Sequence, residues 1–244
     1  AGMDDIIPIS KDKERRMGDA ISKQVDEQFD GVDDPLVQKR VEEIGKRLAQ
    51  VCERKDFIYR FKVLKPKDGE DEEKYINAFC LPGGYVYIFE PFVKKLKTDD
   101  AIAAVAAHEI GHISARHVVK RLQGSIGLNA LMLLAVVVKP SKETMAKTNE
   151  AIGQLMTTYS REDEFEADRL AVEYMKKAGF DPDGVVVSLK ALKSWRKGAR
   201  EMKYMHFKSH PYLSERISAA RSEVKGYTDF DSYINVPKQQ DGFY

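Results

Sequence analysis

The chain has 244 residues, of which 32 % are charged, yet its formal net charge is only +1. This length suffices for one large domain or two small ones and for a sizeable hydrophobic core. Because Lys and Arg are balanced by acidic residues and scattered along the chain, the composition argues against binding of nucleic acid through bulk electrostatics, and no nucleic-acid partner is predicted.

The N-terminal part of the chain predicts two packing helices and carries no catalytic motif. Its opening, AGMDDIIPIS, lacks the basic region and the long apolar core of a signal peptide. Apolar residues recur at helical spacing from Ser10 to about Phe29, and again after Asp34. Asp34 is predicted to cap the second helix, and Pro35 suits its first turn. We expect residues 1–55 to serve packing.

The hydrophobic period changes after residue 55, where β-structure is predicted. The alternating, aromatic-rich segment DFIYRFKVL (Asp56–Leu64) is typical of a strand. In YINAFCLPGGYVYIFEPF the turn residues Pro82, Gly83 and Gly84 separate two strand-like runs. This arrangement predicts a β-hairpin.

The two cysteines, Cys52 and Cys80, lack the CxxC spacing of a zinc knuckle or a redox motif. In an oxidising compartment they could form one disulfide. The alternative is that both are small buried apolar residues. We favour the second interpretation, because unpaired cysteine is among the most buried residue types.

Helical patterns occupy most of the remaining chain. An alanine-rich pattern runs from Thr98 to about Leu122, with Thr98 or Asp99 as its cap. The next pattern, Lys142–Ala178, is too long for an ordinary globular helix, so we expect a break near Thr157–Ser160 and a C-cap at Gly179. The last predictions are two helices and an irregular tail: Pro182–Lys197, Leu213–Val224 and 226–244.

The most apolar segment of the chain is GSIGLNALMLLAVVVKP. Its unbroken part after Asn129 falls far short of the ~18–20 residues that span a bilayer. A buried helix is therefore expected over 130–138. A lid over a cleft and a contact with a membrane surface are the alternatives.

The alanine-rich helix contains the motif HEIGH, from His108 to His112. Residues four apart lie on one face of a helix, so these two imidazoles can bind one zinc ion together. Glu109 is rotated by about 100° from His108 and lies beside the metal, where it can act on a water molecule. The preceding AIAAVAA is typical of a buried helix, in which such polar side chains are costly without a partner. The motif therefore predicts a zinc site.

A further histidine, His117, follows His112 by five residues. In a continuous helix this spacing turns the two side chains about 140° apart. We therefore expect His117 to be a solvated or core histidine rather than a metal ligand.

A catalytic zinc site needs a third protein ligand and keeps its fourth position for water. The candidates lie in SREDEFEADRLA, where Glu164 and Asp168 are four residues apart on one helical face. Glu164 can be the third ligand, and Asp168 can accept the free N–H of a liganding histidine. By pattern alone, Glu162, Asp163 and Glu166 remain alternatives.

In combination these motifs resemble the gluzincin metallopeptidases of the CAAX prenyl protease 1 and HtpX type. HExxH is followed by ExxxD with an alanine directly before the aspartate, and the likeness extends over about Asn77–Ile217. Three further segments are similar to motifs of that family: NAFCLPGGYVYI, EFEADRLA and SHPYLSERI, the last of which combines a His-Pro pair with an arginine downstream.

The resemblance implies an α+β, mostly helical fold, in which a zincin-like catalytic core packs a small β-sheet or hairpin on the HExxH helix. It assigns Glu164 to Zn²⁺ and Asp168 to the shell behind a ligating histidine. The chain 1–244 would be a single zinc metallopeptidase domain with its catalytic core at 56–225. Since no segment has spanning length, the chain is similar to the soluble bacterial branch of the family. That branch implies a periplasmic or envelope-attached protein, with a cytoplasmic location and membrane-surface association also open.

The implied function is zinc-dependent hydrolysis of peptide bonds in unfolded or misassembled polypeptides. A zinc-bound water would attack the peptide bond, with Glu109 as general base. His210 is expected to stabilise the oxyanion, and a structural role or an inhibitory metal contact are its alternatives. The segment Asn77-Ala78-Phe79 is expected to be a strand edge that holds an extended substrate through main-chain hydrogen bonds.

Three other functions fit parts of the sequence. A zinc-binding chaperone or adaptor would keep the ligands but has no need for Glu109. A membrane-interaction protein could use Leu131–Val138, but this run lacks the basic face of an interfacial helix. A zinc hydrolase with a non-peptide substrate would not need the edge-strand hairpin. The oligomeric state is not predicted by any of these features.

Overall fold

In the computed structural model of the chain, the residues described are 9–126, 146, 159–196 and 210–226. Helices predominate, and the described residues contain one small sheet, which confirms the predicted α+β, mostly helical class. In chain order the elements are α1 (Lys11–Gln28), α2 (Pro35–Ala49), β1 (Arg60–Leu64), a 3-10 turn (Glu72–Tyr75), β2 (Ala78–Leu81), β3 (Tyr85–Phe89), α3 (Glu90–Leu96), α4 (Asp99–Ser114), α5 (His117–Ile126), α6 (Arg161–Ala178), α7 (Asp183–Arg196) and α8 (Leu213–Lys225).

Side-chain caps fix several helix ends where the sequence predicted them. Asp34 accepts a hydrogen bond from the Leu36 N–H at the start of α2, and Thr98 accepts one from Ala101 at the start of α4. Ser160 caps α6 through the Asp163 N–H, so a helix begins just after the expected break. Each cap satisfies a backbone donor that would otherwise have no partner.

The three strands form a sheet in the order β1-β3-β2, with β1 parallel and β2 antiparallel to β3. The β2–β3 hairpin turns at Gly83 and Gly84, whose φ angles of 80° and 99° favour glycine. This confirms the predicted hairpin. Strand β1 is shorter than predicted and begins at Arg60, because its first paired partner is Tyr85, the first residue of β3.

The predicted single helix from Thr98 to Leu122 is wrong, because it is broken into α4 and α5. Arg116 lies between them with φ at 61°, in the left-handed region. Its guanidinium donates to the Ile9 carbonyl at 2.6 Å and lies 3.5 Å from the buried carboxylate of Glu14. These tertiary contacts with the N-terminal part of the chain stabilise a break that helix propensity does not predict.

Helix α4 is the central element, and every residue from Ala101 to Ile113 is buried. It packs against α2, α6, α7 and β2. At Gly111 the approach of α6 is so close that an added Cβ would lie 2.9 Å from the Ala167 carbonyl oxygen. The glycine inside the HExxH motif therefore allows α6, with its carboxylates, to lie directly against the two histidines of α4.

Other sequence predictions have mixed outcomes. Cys52 and Cys80 are both unpaired and buried, as expected for small apolar residues. Within the parts of the chain that the structure describes, no helix is long and apolar enough to cross a membrane. The apolar run 130–138, the helical pattern 142–158 apart from residue 146, and the tail after 226 lie outside the described residues.

Candidate metal centre

Two imidazoles of α4 converge on one point. His108 Nε2 and His112 Nε2 lie 3.1 Å apart, as one-turn spacing on a helix allows. Both side chains are buried. Since two hydrogen-free nitrogen lone pairs repel each other at this distance, the pair needs a proton or a cation between them.

Helix α6 supplies carboxylates to the same point. Glu164 Oε2 lies 3.5 Å from His108 Nε2, and Glu164 Oε1 lies 3.5 Å from His112 Nε2. Asp168, one turn later, places Oδ1 at 2.9 Å from His108 Nδ1, the nitrogen that faces away from the cluster. The structure thus brings together the predicted third ligand and its predicted supporting carboxylate.

The rival carboxylates do not reach the cluster. Glu162 is exposed, whereas Asp163 and Glu166 lie near His117. The clustered donor atoms, one each from His108, His112, Glu164 and His210, all lie within 4.8 Å of one another.

His210 is the fourth member of this group and precedes α8. Its Nδ1 lies 3.1 Å from His108 Nε2 and 2.9 Å from Glu164 Oε1. Its Nε2 lies 3.6 Å from Glu109 Oε1. The residue therefore touches both the ligand cluster and the predicted base, a position that suits the oxyanion role and the metal-contact role alike.

Arg216 was given no role by the sequence analysis, yet it is one of the most buried charged residues described, with 1 % of its surface exposed. It forms two 2.7 Å hydrogen bonds with Asp168 and a 2.5 Å ion pair with Glu164. It also donates to the His210 carbonyl. One sequence pattern does indicate that Arg216 is buried. It lies on the same face of α8 as three apolar residues, Leu213, Ile217 and Ala220.

These contacts set the protonation of the centre. Burial raises the pKa of Glu164, but the charges of Arg216 and His210 outweigh it and hold that pKa well below the usual range. Burial and Arg216 lower the pKa of His108, yet hydrogen bonds to Asp168 and Glu164 prevail and raise it to about 9. Burial is the main cause that lowers the pKa of His112.

Glu109 has quite different surroundings. Its side chain is fully buried, and within the described part of the chain neither carboxylate oxygen has a hydrogen-bond partner. Such a carboxylate is costly unless a cation or water satisfies it. Imidazole nitrogens and a carboxylate oxygen are also the ligands that zinc prefers. The donor set and the unsatisfied Glu109 therefore fit a zinc ion with an adjacent water.

The prediction that His117 points about 140° away from His112 is wrong. Its burial agrees with one of the two predicted alternatives, a core histidine. His117 is buried, and its Nδ1 lies 3.0 Å from His112 Nδ1. Its Nε2 lies 3.4 Å from Asp163 and 3.3 Å from Glu166. Because α4 ends at Ser114, the 140° rotation of a continuous helix does not apply.

Tyr159 is a second neighbour of His112, and no sequence pattern indicates this contact, since Tyr159 lies at the predicted helix break. Its ring stacks on the His112 imidazole with 3.9 Å between centroids, and the Arg121 guanidinium covers the tyrosine ring at 4.0 Å. The stacked tyrosine covers one face of the His112 ring and so restricts rotation of that ring.

The predicted substrate edge, Asn77-Ala78-Phe79, runs into β2, which is one of the two edge strands of this sheet and packs against α4. The Phe89 N–H donates to the Asn77 carbonyl, and the Asn77 side chain accepts from the Ala78 N–H. By the alternation of an antiparallel ladder, the backbone groups of Ala78 and Cys80 point away from β3. All three residues of the predicted edge are buried.

A buried His-His-Glu cluster on two packed helices, with a second glutamate beside it in HExxH, defines the class of zinc metalloendopeptidases. The sequence model of Peptidase family M48 matches residues 35–224 of this chain. The chain therefore belongs to Peptidase family M48, a family of zinc-dependent metalloproteases.

Named relatives agree with this assignment. The beta-barrel assembly-enhancing protease of Escherichia coli (strain K12) is 27 % identical over 227 residues, which cover 88 % of this chain and 45 % of the relative. The metalloprotease LoiP of the same strain is 26 % identical and covers 67 % of this chain and 62 % of its own. The mitochondrial metalloendopeptidase OMA1 of Schizosaccharomyces pombe is 29 % identical, covering 72 % and 50 %. The chain matches between 45 % and 62 % of the length of these relatives.

Proposed function

We propose that this chain is a zinc-dependent endopeptidase in which His108, His112 and Glu164 bind the metal and Glu109 is the general base. The observation that carries the proposal is the contrast at the cluster itself. Four donors converge there, and the three proposed ligands among them have supporting partners, while the adjacent Glu109 is buried and has no hydrogen-bond partner in the described residues.

Zinc, when bound, lowers the pKa of a water molecule and polarises the scissile carbonyl. Glu109 is placed to accept a proton from the attacking water, because it follows His108 directly and is rotated about 100° from it around α4. The same carboxyl group would then return the proton to the leaving amine. Its burial keeps bulk water from competing for that proton.

We propose that His210 stabilises the negative charge that develops on the scissile oxygen. Its Nε2, 3.6 Å from Glu109, lies on the side of the cluster where the base acts. The short contacts of its Nδ1 with His108 and Glu164 also support the alternative, in which His210 occupies a metal position in a resting form. Replacement of His210 separates these roles, because loss of an inhibitory contact would raise activity.

We propose that an extended polypeptide pairs with the β2 edge in the segment that continues from Asn77-Ala78-Phe79, through the outward backbone groups of Cys80 and the Ala78 carbonyl. The Ala78 N–H already donates to the Asn77 side chain. Main-chain pairing tolerates many side chains, which suits unfolded or misassembled substrates. Since this edge is buried, substrate entry requires that the segments covering it move.

The chain is also proposed to be one metallopeptidase domain over 1–244, of the branch of the family that resembles periplasmic or envelope-associated quality-control proteases. The resemblance to the CAAX prenyl protease 1 and HtpX type and the bacterial relatives named above support this placement. A zinc-binding chaperone or adaptor is the second candidate, and the presence of Glu109, whose oxygens have no hydrogen-bond partner in the described residues, argues against it.

The test compares zinc content and casein cleavage of the wild-type protein and Glu109→Gln. The variant is expected to retain zinc and lose cleavage, because an isosteric amide removes the base and not a ligand. Cleavage at a near wild-type rate by Glu109→Gln would refute the base assignment. Zinc without any cleavage in the wild-type protein would favour the chaperone or adaptor.

A further inference from the structure

The proposed metal ligands His108 and His112 differ in what lies behind them. His108 Nδ1 contacts a carboxylate, that of Asp168, at 2.9 Å. His112 Nδ1 instead contacts a third imidazole, that of His117, at 3.0 Å. Carboxylates and carbonyls are the usual partners of a ligating histidine, so the second arrangement calls for an explanation.

We propose that His117 is a positioning residue, which accepts a hydrogen bond from His112 and thereby fixes the tautomer and ring orientation of that ligand. His117 in turn is oriented by Asp163 and Glu166. This inference rests on the proposed ligand set, in which His112 binds zinc through Nε2.

The hydrogen positions follow from the geometry. His112 Nε2 faces the cluster, since it lies 3.1 Å from His108 Nε2 and 3.5 Å from Glu164. A neutral imidazole that binds metal through Nε2 carries its hydrogen on Nδ1. His112 must therefore donate across the 3.0 Å Nδ1–Nδ1 contact, and His117 must accept.

The far side of His117 completes the same pattern. If its Nδ1 accepts, the hydrogen of the neutral ring is on Nε2. That nitrogen lies 3.3 Å from Glu166 Oε2 and 3.4 Å from Asp163 Oδ1, both of which are acceptors. The direction of donation is thus uniform, from His112 to His117 and from His117 to the carboxylates of α6.

The fold places His117 here by means of the break between α4 and α5. In a continuous helix, His117 would point about 140° away from His112 and could not touch it. The left-handed Arg116, which binds the Ile9 carbonyl and lies near Glu14, redirects the chain so that α5 starts with His117 against the active-site helix. A strained residue at this point is explained if the contact that it creates has a function.

The test uses two amide variants, each of which keeps one of the two contacts of His117 and loses the other. In His117→Asn the side-chain oxygen can occupy the place of Nδ1 and accept from His112. In His117→Gln the longer amide reaches the place of Nε2, so the contact with the carboxylates remains and the contact with His112 is lost. The zinc dissociation constant is measured by competition with a chelator, together with the melting temperature of the metal-free protein.

We expect His117→Gln to weaken zinc binding about 10- to 100-fold, the range for loss of a partner behind a metal ligand. His117→Asn should stay within a few-fold of the wild-type constant. Unchanged affinity in both variants would overturn the proposal. Equal weakening in both, in step with the metal-free melting temperature, would also overturn it, because that result indicates a core histidine that only fills space.

A second measurement needs no variant. In the zinc-loaded wild-type protein, the ¹⁵N chemical shifts of His117 should show hydrogen on Nε2 and an acceptor at Nδ1. Hydrogen on Nδ1 of His117 would contradict the proposal.

His112→Ala separates this inference from the ligand assignment on which it rests. If His112→Ala keeps the wild-type zinc affinity, the ligand set is wrong. If His112→Ala loses zinc while His117→Gln does not, the ligand set stands and the positioning role of His117 fails alone.

Discussion

Two buried glutamates, Glu164 and Glu109, lie beside the same histidine pair in very different surroundings. Glu164 belongs to what we call the paired side of the centre, which also contains Asp168 and Arg216. Glu109 belongs to the open side, where neither of its oxygens has a hydrogen-bond partner among the residues described. Both glutamates are fully buried, so burial alone does not distinguish them.

The difference shows how one site can support two kinds of chemistry. On the paired side, Arg216 offsets the charges of Glu164 and Asp168, which keeps both carboxyl groups ionised and oriented toward histidines. On the open side, the absence of hydrogen bonds to the Glu109 oxygens among the described residues suits the proposed role of Glu109 as the group that accepts a proton. A ligand must stay ionised and fixed, whereas a base must be accessible to the proton that it accepts.

Among the variants considered, Arg216→Ala should cause the largest loss in the free energy of unfolding. Arg216→Ala leaves two buried carboxylates without their cation, and breaking a buried ion pair in this way costs about 3–5 kcal/mol. We expect a matching loss in the free energy of unfolding of the metal-free protein, measured by urea denaturation. Arg161→Ala, which removes a surface ion pair with Glu215, is the control and should change stability by less than about 1 kcal/mol. Equal effects would show that the buried pairing is not special.

His210 contacts both Glu164 on the paired side and Glu109 on the open side, and His210→Ala tests which role it has. If His210 stabilises the oxyanion, kcat should fall by about 10²- to 10³-fold with zinc content unchanged. Rates of peptide cleavage and elemental analysis on one preparation measure both quantities. A rise in activity would instead assign His210 to an inhibitory metal contact, and a fall in melting temperature alone would make it structural.

Asp168→Ala should weaken zinc binding about 10- to 100-fold, because His108 loses the acceptor that orients its ring. Chelator competition gives the constant. Glu162→Ala is the matched control on the same helix, since Glu162 is exposed, and should bind zinc like the wild-type protein. Unchanged affinity in Asp168→Ala would make Asp168 a partner of Arg216 only.

Gly111→Ala should loosen the contact that brings the two sides together. The added methyl group would meet the Ala167 backbone, and overpacking of this kind costs about 1–3 kcal/mol. The melting temperature and the zinc dissociation constant are expected to change together, because α6 carries Glu164. Gly124→Ala, whose added Cβ would meet nothing within 4 Å, should not lower the melting temperature, because alanine favours the helix that contains it, and should leave the zinc dissociation constant unchanged.

Local spacing accounts for the part of the site that could be predicted from sequence. His108, Glu109 and His112 follow from the geometry of one helix, and the caps at Asp34 and Thr98 follow from local hydrogen bonding. The choice of Glu164 over its neighbours needed a family resemblance, because an i,i+4 pattern does not show which face of a helix meets another helix.

The remaining features depend on contacts between distant segments. Arg216 is 48 residues from Asp168, and nothing near it in the sequence indicates that pairing. His117 faces His112 rather than away from it because Arg116, which donates to the Ile9 carbonyl, has a left-handed conformation. Helix periodicity continues smoothly through this point, so the break could not be predicted from the pattern.

The most direct test of the division between the two sides is the zinc dissociation constant of two isosteric variants, Glu164→Gln and Glu109→Gln, measured by chelator competition under identical conditions. The account predicts a large loss of zinc affinity for Glu164→Gln, which removes a charged ligand, and an affinity near that of the wild-type protein for Glu109→Gln. Equal losses in the two variants, or a loss confined to Glu109→Gln, would contradict it.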